Sequence, residues 1–146
     1  MSIPQLSVFV ENQPGHLADT VSTLAEGNVN VQSFTIADTT DYGILRLVVD
    51  QVARAKELLS AAGYVVVEHP VVCAVIPDEP GALASITRLV YESGLDIEYL
   101  YLGAHDSLLL KTDELERLET LLVAGGFRVL GPGDLGFPGT WAAIES

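Results

Sequence analysis

One short stretch of punctuation occurs twice in this chain, and that repetition limits its fold more than any other feature. Pro14-Gly15 returns as Pro80-Gly81, and the flanks return with it: Val10-Glu11-Asn12-Gln13-Pro14-Gly15-His16-Leu17-Ala18 lies over Ile76-Pro77-Asp78-Glu79-Pro80-Gly81-Ala82-Leu83-Ala84. Val29-Asn30-Val31 lies over Leu95-Asp96-Ile97 at the same offset. Further on, Ala62-Gly63-Tyr64-Val65-Val66 lies over Gly125-Gly126-Phe127-Arg128-Val129, with three residues fewer between the anchors. A hairpin turn absorbs such a loss without disturbing what it connects, and Ala37 to Gly43 is indeed longer than Gly103 to Asp106. The chain therefore builds one supersecondary unit twice.

Periodicity identifies the unit. Leu6, Val8 and Val10 alternate with Ser7, Phe9 and Glu11, as a strand requires. After each Pro-Gly, apolar residues recur at helical spacing: Leu17, Val21, Leu24 and Ala25 in the first copy, Leu83, Ile86, Leu89 and Val90 in the second. Gly27-Asn28 and Ser93-Gly94 stop these helices. Two strands joined by a polar turn follow, over Val29 to Ile36 and Ile44 to Val49, or Leu95 to Leu102 and Ser107 to Leu110. A second helix carries Val52, Ala55, Leu59 and Ala62, or Leu115, Leu118 and Leu122, and ends at Gly63 or Gly126. The last strand covers Tyr64 to Val67 or Phe127 to Leu130. The order strand, helix, strand, strand, helix, strand predicts an α+β fold of two ferredoxin-like βαββαβ units in tandem, each an antiparallel sheet with both helices on one face. The expected units are 3–68 and 70–131, hinged at His69-Pro70, with a Gly/Pro-rich tail over 132–146. Apolar residues at both strand parities (Phe9 with Val8, Phe34 with Val31, Ile44 with Leu45) predict that the face opposite the helices is covered by pairing of repeats and of chains. In the tail, Phe137 and Trp141 are expected to pack back on the chain or to clasp a partner subunit.

Composition narrows the function. Of 146 residues, 20 are acidic and 7 basic, and a net charge of -13 repels phosphate backbones and anionic lipid surfaces. No nucleic-acid or membrane partner is expected, and the basic, aromatic strands of RNA-binding modules with this topology are missing. The N-terminal Met1-Ser2-Ile3-Pro4-Gln5 has no signal-peptide pattern, and the single cysteine, Cys73, excludes an internal disulfide; both suit a cytoplasmic protein. Cys73 sits in the apolar run Val71 to Ile76 and reads as an inert buried residue. His16, His69 and His105 are scattered without a catalytic motif, so the chain is read as no enzyme and as needing no cofactor. Asp78, Glu79, Asp96 and Glu98 lack the close spacing and glycine turn of a hard-cation loop and read as a solvated rim, not a metal site.

Both copies spend special residues on the first strand-to-helix connection, Asn12-Gln13-Pro14-Gly15 and Asp78-Glu79-Pro80-Gly81. Proline fixes the turn, glycine admits the chain to the helix, and the amides of Gly15, His16 and Leu17, or Gly81, Ala82 and Leu83, are expected to face outward and attract a carboxylate. The plain alternative is that Asn12 and Asp78 cap their helices with no ligand involved.

These residues resemble ACT domains, the small regulatory modules of many amino-acid biosynthetic enzymes, over nearly all of 3–131. The motif is a strand ending in Asn or Asp, one variable residue, Pro-Gly-x-Leu, a helix, then Gly-x-Asn or a near variant. Here it reads Asn12-Gln13-Pro14-Gly15-His16-Leu17 with Asn30, and Asp78-Glu79-Pro80-Gly81-Ala82-Leu83 with Gly94-Leu95-Asp96. The first copy departs from it, its Gly-x-Asn being stretched to Gly27-Asn28-Val29-Asn30. The resemblance implies an amino-acid effector bound between paired modules, with Asn12 facing Asp96 at one site and Asp78 facing Asn30 at the other. The ligand ammonium would suit Asp78 or Asp96, and its carboxylate an Asn side chain and the helix-start amides. The resemblance further implies a homodimer. The competing reading is a ligand-free module that only dimerises or docks on a metabolic enzyme.

Overall fold

The computed structural model describes residues 2–11, 13–38, 42–103 and 106–135. Asn12, His105, Phe137 and Trp141 lie outside them, and with them the expectations for the tail. The element order is β1 (Ile3–Glu11), α1 (His16–Glu26), β2 (Val31–Asp38), β3 (Tyr42–Val49), α2 (Val52–Ala61), β4 (Val65–Val75), α3 (Ala82–Glu92), β5 (Tyr99–Leu102), β6 (Ser107–Lys111), α4 (Leu115–Ala124), β7 (Arg128–Leu130) and a short α5 (Pro132–Leu135). The βαββαβ pattern is thus traversed twice. The chain divides into two compact units, Pro4–His69 and a second made from Pro70 onward with the first three residues. The division falls between His69 and Pro70, the expected joint between the repeats, and the joint lies inside β4, which closes the first pattern and opens the second. Proline's fixed φ suits extended backbone and forfeits only one ladder donor, so the strand passes through it.

In the first unit β1 runs antiparallel to β3, with Leu6 opposite Leu47 and Val8 opposite Leu45, and β2 runs antiparallel along the far side of β3. With β4 beside β1, the order is β2-β3-β1-β4. The second unit repeats this arrangement: β5 pairs with β6, β6 with β4, and β7 with the other edge of β4. Each sheet lays one face on its two helices. Leu6, Val8, Val10, Leu45, Leu47 and Val49 meet Leu24, Ala55 and Leu59 in the first core. Val72, Ala74, Ile76, Leu108 and Leu110 meet Ile86, Val90, Leu118 and Leu122 in the second. Burying each of the larger side chains contributes roughly 1.5–3 kcal/mol.

The expectation of alternating faces fails at one place. A bulge between Val31 and Ser33 shifts the register of β2, so Phe34 lies opposite Leu47 and Ile36 opposite Leu45. Phe34 and Val31 therefore share the helix-side face, whereas a regular strand would oppose them. Beyond the reach of the helices, Phe34 is 62% and Ile36 40% exposed. On the face away from the helices the first unit leaves Phe9, Val65 and Val67 exposed, whereas Val71, Cys73, Leu109 and Leu130 of the second are buried. Strand β5 begins at Tyr99 rather than Leu95, because the Leu95 amide still bonds back to the Val90 carbonyl.

That bond belongs to a device used at the end of all four long helices. The amides of Val29, Tyr64, Leu95 and Phe127 donate to the carbonyls of Leu24, Leu59, Val90 and Leu122. In each case the preceding residue, Asn28, Gly63, Gly94 or Gly126, is left-handed. This is the six-to-one closure of a Schellman motif, which satisfies carbonyls the helix leaves open. It also explains the irregular Gly27-Asn28. Asn28, one of the few side-chain-bearing residues that tolerate φ near 60°, takes the place Gly94 holds in the second copy. Gly27 is also closely approached: a Cβ there would sit 2.1 Å from Cδ1 of Leu58, whose side chain would have to shift.

A second repeated device rests on two arginines that hold equivalent positions in the repeat. Arg54 of α2 donates through Nε to the Gly27 carbonyl at 2.6 Å, and Arg117 of α4 donates to the Ser93 carbonyl. Each guanidinium crosses from the second helix of its unit to the negative end of the first.

Two outcomes are expected. Arg54→Ala and Arg117→Ala should each lower the unfolding free energy by about 1 kcal/mol in urea titrations, whereas Arg88→Ala, which removes only an exposed pair with Glu92, should stay within about 0.5 kcal/mol of the parent. Equal effects at all three would count against the crossing contacts. The Cys73 thiol is pushed up to about 12, chiefly by burial, with a hydrogen bond to Ser107 opposing and the charge of Asp134 adding to the rise. It should ignore Ellman's reagent at neutral pH until the chain is unfolded. Because the folded state favours the neutral thiol, its contribution to stability is full below the ordinary value of 9.0 and is lost as pH climbs toward 12.

Candidate functional site

The two Pro-Gly turns fold alike because the same local bonds close them. The Gln13 amide donates to the Glu11 carbonyl at 2.8 Å and the His16 amide to the Gln13 carbonyl at 3.3 Å; Glu79 donates to Pro77 at 3.0 Å and Ala82 to Glu79 at 3.3 Å. Gly15 and Gly81 then start α1 and α3 with φ of 89° and 90°, a left-handed backbone that an L side chain would strain.

This geometry corrects two expectations. The His16 and Ala82 amides do not face outward free, since each closes a turn, while those of Gly15, Gly81, Leu17 and Leu83 take no part in these bonds. Asp78 does not cap α3: the cap position belongs to Gly81, and no side chain bonds to that helix start. The capping alternative is thereby removed for the second copy.

Beside the second turn lies a cleft of about 280 Å³, contained wholly within that unit. Asp78, Glu79, Ala82 and Leu83 line it, joined by Leu102 and Asp106 from the hairpin between β5 and β6. Leu83 is 47% and Leu102 65% exposed, so two apolar side chains stand ready to be covered. Three carboxylates and no lysine or arginine stand in the lining. The Ile76 amide donates to the Asp106 carbonyl at 2.7 Å, which holds the hairpin against the strand that leads into the turn. Such a cleft suits a small molecule with a positive group and an apolar part. Among the described residues that line it, no nucleophile is paired with a base.

The other sequence-identified residues are placed differently. Asp96 is exposed and stands outside this cleft. Asn30 is exposed with its backbone clamped, its amide donating to Oδ1 of Asp50 at 2.9 Å and its carbonyl accepting from the Asp50 amide at 3.2 Å. Gln13 and Leu17 are exposed, and His16 faces a separate cleft in the first unit. Leu102 and Asp106 were missed because they lie a hairpin away from the Pro-Gly motif. The only clue in the sequence was that the repeats differ in length at that hairpin.

Comparison with known proteins agrees with this architecture. A Bacteroides thetaiotaomicron protein of known structure is similar at 29% identity and a TM-score of 0.86, over 94% of this chain and 98% of that one. The regulatory subunits of aspartate kinase from Thermus thermophilus and Thermus flavus share the fold at 19% identity, with TM-scores of 0.64 and 0.65, over 84% of this chain and 89% and 90% of theirs. Curated proteins give no match. The family model described as an ACT domain pair matches residues 1–134. With two βαββαβ units, each opened by a Pro-Gly turn, and that match over nearly its whole length, the chain belongs to the ACT domain pair family.

Proposed function

We propose that this chain is a non-catalytic cytoplasmic regulator that senses a free amino acid through its Pro-Gly turns. The observation that carries the reading is the cleft beside the second turn, where Asp78 and Glu79 flank the exposed apolar surface of Leu83 and Leu102. An amino acid brings an ammonium group for the carboxylates, a side chain for the leucines, and a carboxylate that the positive end of α3 and the Gly81 and Leu83 amides favour. Ala82, buried below the turn, shapes the floor. In the chain pairing that the family resemblance implies, Asp96 of one chain would face the first turn of its partner, the segment that carries Asn12, Gln13, Gly15, His16 and Leu17, and Asn30, bonded to Asp50, would face the partner's second turn. Membership of a regulatory family, and a fold shared with regulatory subunits of aspartate kinase, support this reading over a catalytic one.

The pairing such sites need is a homodimer. Edge strand β2 supports it, since Phe34 and Ile36 leave apolar surface beside unpaired backbone groups.

Two experiments test the proposal. In a thermal-shift screen of the twenty amino acids, one or a few should raise the melting temperature by several degrees; a ligand at a hundredfold excess over Kd adds about 2.7 kcal/mol. Asp78→Ala or Asn12→Ala should abolish the shift at its own site. A flat response to all twenty would leave the repeats as a docking module for a metabolic enzyme. In sedimentation equilibrium the chain should behave as a dimer that Phe34→Lys with Ile36→Lys converts to monomer. A dimer unchanged by these substitutions would move the interface away from β2.

A further inference from the structure

We propose that the first unit also binds a small organic ammonium ion, in a cleft that shares His16 with the amino-acid reading of the first Pro-Gly turn and is otherwise lined by different residues. A cleft of about 390 Å³ opens where β1 ends, α1 and β3 begin, and α2 turns into β4, and it lies entirely within that unit. Three aromatic residues, Phe9, Tyr42 and Tyr64, line it together with the acidic Glu11 and Asp19 and with His16, and Tyr64 also packs against the first core. Phe9 is 41% and Tyr42 55% exposed, a large apolar surface to leave in water at one spot of an acidic protein. Neither carboxylate is held in an ion pair among the described residues, and no lysine or arginine joins the lining. Ring faces attract a cation through their quadrupole, carboxylates through their charge, and the methyl or methylene groups of an alkylammonium cover apolar surface in the same step. A neutral or anionic ligand would gain only part of this.

The internal repeat provides the comparison that separates a built site from a by-product of the fold. Where the first copy has Phe9, Glu11, His16 and Asp19, the second has Val75, Pro77, Ala82 and Ser85, and Arg128 stands in place of Val65. The second copy keeps the same backbone device yet loses a ring and both carboxylates and gains a cation. The chemistry is therefore particular to the first unit and is not required by the βαββαβ fold, which both copies adopt.

The test uses the full-length, isotope-labelled chain and amide chemical shifts. Choline chloride is the probe, sodium chloride at equal ionic strength the blank, and 3,3-dimethylbutan-1-ol the neutral isostere. Saturating shifts at Phe9, Asp19 and Gly63 are expected with choline, with roughly tenfold weaker binding of the neutral alcohol. Glu11→Gln with Asp19→Asn, which keeps shape and removes charge, should weaken choline about tenfold. Shifts that fail to saturate, equal affinity for the uncharged alcohol, or matching shifts at Val75, Ser85 and Gly126 of the second unit would each overturn the proposal. The isostere comparison uses the unaltered protein, so it decides the question however any variant folds. Because choline is no amino acid, failure here leaves the sensing function standing, and a flat amino-acid screen leaves this site standing.

Discussion

Everything in each unit hangs on one apolar layer, the contact between the helix-side face of an antiparallel sheet and the two helices that cross it. In the first unit Leu6 and Val8 stand opposite Leu47 and Leu45, forming a level row on which Leu24, Ala55 and Leu59 rest. In the second, Val72 and Ala74 stand opposite Leu110 and Leu108 beneath Ile86, Val90, Leu118 and Leu122. This layer sets the height at which every helix must begin and end. The turns and locks around it are consequences of that requirement.

The helix ends show how the requirement is met. A helix that must stop and send the chain back to the sheet leaves carbonyls unbonded, and each of the four long helices answers with the same closure around a left-handed Asn28, Gly63, Gly94 or Gly126. Arg54 and Arg117 add a contact from the neighbouring helix at the carbonyl ends of α1 and α3, so the two helices of a unit are tied together as well as packed. The helix starts are built differently. There the chain enters through Gly15 or Gly81, without a side-chain cap on α3, and the residues just before the glycine are left to face solvent.

Duplication has kept the backbone and freed the side chains. The two Pro-Gly turns share their hydrogen bonds, yet the second carries Asp78 and Glu79 where the first carries Asn12 and Gln13. The shapes are nearly the same and the charges are not. The clefts diverge as well: one lies against the β5–β6 hairpin and is walled by leucine and carboxylate, the other lies at the start of β4 and is walled by aromatic rings. A tandem pair built this way can carry two different cleft chemistries on one scaffold, because most of the divergent side chains lie at the surface and contribute little to packing.

Whatever depends on neighbours along the chain was legible in the residues. The repeat, the order of elements, the helix stops and the Pro-Gly turns are written in spacings and in glycines whose conformational freedom acts over a few residues. Even the family was legible there, since its motif is a turn. What depends on residues brought from afar came only with the folded chain. The bulge at Val31–Ser33 turns Phe34 toward the helix side, β4 runs unbroken through His69-Pro70, Arg54 and Arg117 find their carbonyls, and Leu102 and Asp106 arrive beside Asp78. The two arginines do stand at equivalent positions of the repeat, but what they and the others meet does not follow from local pattern. Each is settled by strand register and by the distance across a packed layer, quantities that come into being only when the sheet has closed under its helices.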